Sequence, residues 1–144
     1  MRHRKNSFKI GKSSSHRKAL LANQTCSLIY SREIRTTITK AKQTKRVAEK
    51  MVTLAKKGTL HCRRRAISKL RDPEAVRILF NDLASNFENR NGGYTRIIRI
   101  GQRKGDAADM CILQWVESDS TAKPAKEAKP AKEAKKEETK KTEE

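Results

Sequence analysis

The sequence contains few cysteines, few aromatic residues and no long apolar run, and each shortage excludes a class of protein. Cys26, Cys62 and Cys111 include no C-x-x-C pair, which argues against a zinc knuckle and a disulfide framework. No stretch approaches the roughly 20 apolar residues that a membrane-spanning helix requires. No apolar block follows the basic start, as it does in a secretory signal. These absences predict an intracellular, cytoplasmic protein with reduced cysteines and no membrane partner.

Patterns that carry catalysis or metal binding are also missing. The adjacent His61 and Cys62 resemble half a metal site, but neighbours on a helix point about 100° apart and no second such pair exists. No Ser/His/Asp set, paired-carboxylate pattern or phosphate-cradling glycine loop occurs. We predict that the protein is not an enzyme and that it uses no metal, no cofactor and no small-molecule substrate.

Acidic residues are scarce over residues 1–116. This part holds 27 Lys or Arg against 8 Asp or Glu, and therefore the whole net charge of +19. A charge of this size attracts polyanions, which in a cell are nucleic acids or anionic membranes. Apolar residues make up 35% of the chain, so the hydrophobic core must be small. The composition favours a protein that binds nucleic acid.

Residues 117–144 lack aromatic side chains and aliphatic side chains larger than alanine. They repeat the motif "KPAKEA" and contain eight basic and eight acidic residues, so their net charge is zero. Such a segment buries too little apolar surface to offset the entropy of ordering. The sequence predicts a disordered Lys/Ala/Glu/Pro tail over 117–144, and the simplest role for it is that of a solvated spacer.

The first twelve residues, "MRHRKNSFKIGK", are basic and contain no acid. Phe8 and Ile10 alone form no apolar helical face, and Gly11 marks the end of the segment. We predict a basic arm over residues 1–12 that orders only when it binds. A mitochondrial transit peptide is the alternative interpretation, because such peptides are also basic, contain serine and lack acids.

Apolar periodicity predicts two helices in the first half of residues 13–116, which we expect to form one globular domain. Ser13, Ser14 or Ser15 caps the first helix, which ends near Tyr30. The second begins at Thr39 and ends before Gly58. The residues expected on their inner faces are Leu21, Thr25, Leu28 and Ile29 in the first helix and Ala41, Thr44, Ala48, Met51, Val52 and Ala55 in the second.

Two further helices are predicted in "TLHCRRRAISKLRD" and after it. In the third helix Leu60, Ile67 and Leu70 are the apolar positions. The fourth begins with Asp72 as its cap and Pro73 at its first position. It is expected to build the core with an apolar stripe composed of Val76, Leu79, Phe80, Leu83 and Phe87.

Three short strands complete the prediction. The segment "REIRTTIT" alternates Ile34, Thr36 and Ile38 with Arg35 and Thr37, as in a strand with one basic face. The segments "YTRIIRIG" and "MCILQWVE" follow the turn-rich "ENRNGG" and are expected to form a hairpin. Tyr94 and Trp115 are predicted to be packing residues. For Tyr94 a second interpretation is open, in which the ring stacks on a base or sugar.

The order of these motifs resembles the bacterial large-subunit ribosomal protein family seventeen. The motifs run from Met1 to about Val116 and are "MRHR", "IGK", "SSSHRKALLAN", "SLI" before "EIRTT", "AEKMVTLAKKGTL", "RRRAISKLRD", "NGGYTRI" and "GQRKGDAADM". The resemblance implies an α/β (α+β) domain with about four helices on a short three-stranded mixed sheet. It also implies a structural component of the large (50S) ribosomal subunit that binds and stabilises folded 23S-type ribosomal RNA. A place near the tunnel exit, with ribosomal protein thirty-two as a neighbour, is implied as well.

The candidate RNA-binding residues are cations able to meet phosphates, together with small and polar residues at turns beside them. Three successive arginines in the third helix span too wide an arc for one acid to pair them all. The full set is Arg2, His3, Arg4, Lys5, Lys9, Lys12, Ser14, Ser15, His16, Arg17, Lys18, Arg35, Thr37, Lys42, His61, Arg63, Arg64, Arg65, Arg90, Asn91, Gly93, Tyr94, Arg96, Arg103 and Lys104.

A DNA-compacting protein is the main alternative function. The stretch "AKPAKEAKPAKEAKK" is similar to the Lys-Pro-Ala tails of linker histones. Such tails act through strong positive charge, whereas Glu127 and Glu133 interrupt the repeats here and the tail is neutral overall. The charge pattern therefore favours the ribosomal interpretation.

Overall fold

The computed structural model describes residues 10–116, so the predictions for residues 1–9 and 117–144 lie outside it. The elements in chain order are α1 (Ser14–Ser31), β1 (Glu33–Thr37), α2 (Ile38–Lys57), α3 (Leu60–Leu70), α4 (Pro73–Ile78), a π-helical turn (Leu79–Leu83), a 3-10 turn (Ser85–Phe87), β2 (Thr95–Gln102) and β3 (Asp109–Trp115). The predicted α+β class, with four α-helices and three strands among these residues, is confirmed.

The start of α1 differs from its prediction. Ser13 occupies the cap position, but its hydroxyl accepts no hydrogen bond from the helix backbone. The Ser13 carbonyl accepts the Arg17 N–H at 2.9 Å, so the helix begins through its backbone alone. Among the residues predicted for the inner face, Thr25, Leu28 and Ile29 are buried, while Leu21 is only partly covered.

The second helix agrees with its prediction almost residue by residue. It starts at Ile38, one position before the predicted start, which also ends β1 at Thr37. All six residues of the predicted stripe are buried. Gly58 adopts a left-handed conformation with φ of 64°, and its N–H donates to the Ala55 carbonyl at 3.0 Å. A glycine adopts this conformation without steric cost, which is why the helix ends there.

The apolar stripe predicted for α3 is wrong at two of its three positions. Leu60 and Ile67 are 63% and 37% exposed, and only Leu70 is buried. The buried face consists of Cys62, Ala66 and Leu70, which follow each other at four-residue spacing. Small residues at the first two positions allow a neighbouring helix to approach closely, and the larger side chains then remain outside.

The fourth helix begins as predicted and then changes its hydrogen-bonding pattern. The Asp72 carboxylate accepts hydrogen bonds from the backbone N–H groups of Glu74 at 3.0 Å and Ala75 at 3.2 Å. After Ile78 the helix widens into the π-helical turn. Most of the predicted stripe is buried, but Phe80 is only half-covered. The extra residue in a π turn shifts the helical phase, which accounts for the position of Phe80.

The sheet is antiparallel throughout, which corrects the mixed sheet that the family resemblance implied. Its strand order is β1-β3-β2, so β3 lies in the centre and pairs with both other strands. The hairpin makes β2 and β3 antiparallel, and β1 enters on the free side of β3 in the antiparallel sense. The edge strands β1 and β2 run parallel to each other, but they never pair, because β3 separates them.

The core lies between the inner face of the sheet and the helices. Phe87 is fully buried at its centre and contacts two aromatic rings, those of Tyr94 and Trp115, with centroid distances of 5.3 and 5.9 Å. The Trp115 indole N–H donates to the Leu28 carbonyl at 2.9 Å, which ties the last strand to α1. Packing roles for Tyr94 and Trp115 are thereby confirmed.

A buried polar network also joins the helices to β1. The Thr44 hydroxyl of α2 donates to the Gln24 side-chain oxygen of α1 at 2.7 Å, and the Gln24 amide donates to the Thr36 hydroxyl of β1 at 3.1 Å. Thr36 and Thr44 are both buried, so each hydroxyl needs such a partner. This network fixes β1, and with it Arg35, against the helical layer.

Replacing Asp72 with Ala is expected to lower the free energy of unfolding by about 1 to 2 kcal/mol, the usual cost of losing a helix cap. The Tyr30 hydroxyl donates to Asp72 at 2.7 Å, and this bond, with those from Ala75 and Glu74, lowers the pKa of the carboxyl. A lowered pKa in the folded state means that the stabilisation is present above the unfolded pKa and is lost as pH falls through the folded value. Urea unfolding between pH 7 and pH 2 measures this loss.

Tyr30→Phe is the control for this prediction, because it removes the bond from the tyrosine and leaves the two backbone caps intact. Its stability loss at pH 7 should be smaller than that of Asp72→Ala. Equal losses in the two variants would contradict a capping role for Asp72.

Candidate nucleic-acid interface

The first candidate surface is the outer face of the sheet, opposite α1 and α2. Strand alternation places Thr95 and Ile97 on the inner side, where Thr95 donates to Glu49 of α2 at 3.4 Å. The outer side consequently carries Arg35, Arg96 and Ile98. Within residues 10–116 no helix covers this side. Of the predicted site residues, the fold brings together Arg35, Thr37 and Arg96 on this face.

A polar row crosses this outer face near its Trp115 end. The row is centred on Gln114 of β3. Glu33 of β1 lies opposite Gln114 on one side, and Arg96 of β2 lies opposite it on the other. With the amide oxygen of Gln114 turned toward it, the Arg96 guanidinium donates from Nε at 2.7 Å and from Nη2 at 2.6 Å. A neutral acceptor thus orients this guanidinium without compensating its charge.

The loop before β2 is held beside this row. The Lys56 ammonium donates to the Arg90 carbonyl at 2.7 Å and lies 5.6 Å from the centre of the Tyr94 ring. The Arg90 side chain donates to the Gly93 carbonyl at 3.4 Å, and Asn91 is exposed between them. This arrangement presents Arg90, Asn91 and Gly93 at the surface on a tethered loop.

Tyr94 itself does not reach that surface. The side chain is only 4% exposed, and its ring packs edge-on against Phe87. A ring in this position offers no face to a base, so the stacking interpretation of Tyr94 is corrected. Its contribution is to anchor the loop through the nearby Lys56 ammonium.

The second candidate surface is the exposed side of α3, which packs on α1, α2 and α4 rather than on the sheet. His61, Arg63, Arg64 and Arg65 are all exposed there. The Arg63 guanidinium lies 5.0 Å from the centre of the Phe80 ring, a cation–π contact that fixes its position. Arg64 and Arg65 form no ion pair with any residue in 10–116.

The third candidate surface is the first turn of α1, with Lys12 before it. Ser14, Ser15, His16 and Lys18 are exposed at this end, and Arg17 is partly covered. No acid lies in the first turn of α1, α2 or α3, although acids are favoured there by the positive end of the helix dipole. Lys42, near the start of α2, is likewise exposed. Uncompensated positive helix ends of this kind suit an anionic partner.

The tip of the β2–β3 hairpin offers fewer unpaired cations to a nucleic acid than the sequence predicts. Arg103 pairs with Asp106, whose carboxylate accepts the Nε hydrogen bond at 3.0 Å and a second bond from Nη2. These bonds lower the pKa of Asp106 to about 2 and raise the pKa of Arg103. Arg103 is therefore compensated within the loop, whereas Lys104 next to it is exposed.

Acidic residues are concentrated on one side of the domain. Of the eight acids in residues 1–116, four lie between Asp72 and Glu88, against a single base, Arg77. Arg77 is itself paired with Glu74, and its Nη2 lies 2.6 Å from the Glu74 carboxylate. The surface formed by α4 and the two turns after it is thus a poor partner for a polyanion.

One cation of the outer face was not predicted. Arg32 follows α1 at its C-cap in a left-handed conformation, with φ of 65°, and is exposed beside the row of Glu33, Gln114 and Arg96. In the sequence it stands alone between Ser31 and Glu33, so no local charge pattern marks it. The predicted residues Arg2, His3, Arg4, Lys5 and Lys9 lie outside the described residues.

No group of three or more His, Cys, Asp or Glu side chains in residues 10–116 has the placement of a metal site, and no helix there is long and apolar enough to cross a bilayer. Burial raises the pKa of Cys26 to about 11 and also raises that of Cys111. The thiolate is the reactive form of cysteine, so burial and the raised pKa both lower the reactivity of these thiols.

Comparisons with known proteins give one family. The model of the family described as ribosomal protein L17 matches residues 20–116. A protein of Allorhizobium ampelinum named large ribosomal subunit protein bL17 is 48% identical over 125 residues, covering 87% of this chain and 89% of the relative. Proteins of the same name from Agrobacterium fabrum and Desulforapulum autotrophicum are 47% and 50% identical over 125 and 116 residues, covering 87% and 81% of this chain and 89% and 97% of the relatives.

Proposed function

The chain belongs to the ribosomal protein L17 family, and from that premise we propose that it binds and stabilises folded 23S-type ribosomal RNA in the large subunit. Membership makes it a structural, non-enzymatic component of the translation machinery and places it with the cytoplasmic ribosome. The residues that contact RNA are the finer part of the proposal, and their support is the distribution of charge over the domain.

The observation that carries the proposal is that uncompensated cations lie on two separate sides of one small domain. Arg35, Arg90 and Arg96 belong to the outer side of the sheet, and Arg64 and Arg65 to α3, with the sheet and α2 between them. A duplex that follows one surface meets only one of these groups. A folded RNA surrounds the domain and meets both, so that segments which repel each other are held together through the protein.

The chemistry of these surfaces favours contacts with the RNA backbone. Exposed guanidinium and ammonium groups meet phosphates well, and arginine does so with two parallel hydrogen bonds. The rings of Tyr94 and Trp115, which would be suited to base stacking, are buried. We therefore attribute recognition to the shape and phosphate spacing of the RNA rather than to base identity.

We propose a different role in RNA binding for each of three segments of the chain. Residues 1–12 act as a basic arm that enters the RNA, residues 13–116 form the domain that presents the two cationic surfaces, and residues 117–144 are a neutral spacer. Ribosomal protein thirty-two is proposed as a protein neighbour. The exposed side chains of Ile98 and Ile100 on β2 supply an apolar contact area suited to a protein rather than to RNA.

Purified protein is expected to prefer folded large-subunit ribosomal RNA over duplex DNA of equal phosphate count at moderate salt. The reason is that only the folded RNA engages both cationic sides at once. Filter-binding titrations over a salt series measure the two affinities and their slopes. Equal affinities for the two nucleic acids would show that the protein binds them only as a general polycation. Co-sedimentation with DNA rather than with large subunits in a sucrose gradient of cell lysate would instead favour the DNA-compacting alternative.

A further inference from the structure

An open cleft of about 620 Å³ lies at the Trp115 end of the outer sheet face. Its lining includes Arg32, Glu33, Arg90, Arg96, Gln114 and Trp115. These residues come from the end of α1, the start of β1, the loop before β2, and the ends of β2 and β3 at this edge, so the folded sheet is needed to assemble the cleft. No short stretch of the sequence therefore predicts this cleft.

The cleft combines three guanidinium groups with one carboxylate. None of its arginines lies within 4.0 Å of a carboxylate in residues 10–116. Arg77 and Arg103, by contrast, are each paired with an acid three positions away. Since like charges brought together in one concavity raise the local potential, this cleft is a strong attractor for an anion.

Two of the three arginines of the cleft, Arg90 and Arg96, are oriented by neutral partners. With the Gln114 amide oxygen turned toward it, Arg96 donates to that oxygen, and Arg90 donates to the Gly93 carbonyl, on a loop that Lys56 tethers at 2.7 Å. A guanidinium has five N–H donors, so each of these side chains keeps donors for a further acceptor. Two of the three arginines are thus preorganised, and the single carboxylate of Glu33 leaves the site with a net positive charge.

We infer that this cleft binds a phosphate of the RNA backbone, with Arg32, Arg90 and Arg96 as its ligands. The inference rests on the proposed RNA-binding function and adds a defined site to it. A tetrahedral phosphate accepts several hydrogen bonds at once and suits a fork of guanidinium groups. The Trp115 ring is buried, so the cleft offers no aromatic face to a base. Binding there is independent of RNA sequence.

The test is filter binding of the full chain to large-subunit ribosomal RNA across a salt series. The double variant Arg32→Gln, Arg90→Gln is expected to flatten the log-log slope by about 0.7 to 0.9, the value for one phosphate contact. Arg77→Gln is the matched control, because this arginine is already paired with Glu74 and its loss should leave the slope unchanged. Thermal unfolding of each variant monitors the fold. A double variant with the slope of the control would overturn the inference.

Two further variants distinguish failure of the cleft site from failure of the proposed RNA-binding function. The double variant Arg64→Gln, Arg65→Gln in α3 tests RNA binding outside the cleft. If it flattens the slope while the cleft variant does not, RNA binding stands and the cleft site is wrong.

A chain ending at Val116 tests whether acids after the domain occupy the cleft instead. If that truncation raises RNA affinity in the wild type and not in the cleft variant, the cleft holds carboxylates of the tail and the inference fails. Unchanged affinity on truncation supports a phosphate.

Discussion

Deletion of residues 2–12 is expected to flatten the log-log salt dependence of RNA binding by up to about 4, since five cations are lost at about 0.7 to 0.9 per phosphate contact. The same deletion should greatly reduce incorporation into large subunits during reconstitution in vitro. The proposed basic arm contains only two large apolar side chains, Phe8 and Ile10, so we expect its contribution to come from contact with RNA rather than from packing. The fraction of each variant recovered in reconstituted subunits is the measurement.

The comparison variant is the change of Arg63, Arg64 and Arg65 to Gln, for which the slope should fall by up to about 2.5. Neighbouring cations such as Lys69 and Arg71 compensate in part for the loss of surface arginines. Because Ser13 remains at the start of α1, the deletion should leave the melting temperature of the domain unchanged. If the deleted chain incorporates like wild type while the arginine variant fails, the arm is only a solvated terminus and α3 is the binding surface.

Phe87→Ala is expected to lower the free energy of unfolding by about 3 to 5 kcal/mol, the range for removing a buried aromatic ring. Phe87 is 2% exposed and lies against both Tyr94 and Trp115, so the cavity would open at the junction of the helices and the sheet. Small domains have stabilities of the same order, and we expect the variant to be largely unfolded without RNA. Urea unfolding followed by circular dichroism measures the change.

Phe80→Ala is the matched control for this prediction. Phe80 is only half-covered, and its ring contacts the Arg63 guanidinium at the surface, so the same chemical change should cost much less. Comparable losses at the two positions would show that Phe87 and the two rings it contacts, those of Tyr94 and Trp115, do not form the centre of the core.

The sequence was informative where large and small residues alternate with a clear period. In α2 every predicted inner residue is buried, because alanines and Met51 share one face and lysines cover the other. In α3 the apolar period pointed to Leu60 and Ile67, whereas Cys62 and Ala66 face the interior. Close helix contact selects small side chains, and periodicity of hydrophobicity alone does not report how near the neighbouring helix lies.

The cations of the candidate site could be counted from the sequence, but which of them are paired with an acid could not be predicted from it. Arg103 and Lys104 are adjacent, yet only Arg103 bends back onto Asp106, since the turn places that acid within reach. Arg32 becomes noteworthy only when the sheet register brings Arg96 and the Arg90 loop beside it. Tyr94, flanked by glycines and arginines in the sequence, turns inward because Phe87 offers it a partner.

The central place of β3 sets the order in which the domain is completed during its synthesis. β3 is the last strand to be made, and its Cys111 contacts Thr36 of β1, which precedes it by 75 positions. Neither edge strand has a partner before then, so the sheet cannot grow strand by strand as the chain elongates. At typical elongation rates, residues 58–115 take about 3 to 12 s to synthesise. Throughout that interval the apolar faces of α1 and α2 that pack on the sheet have no sheet to cover them, a condition that favours aggregation of a nascent chain.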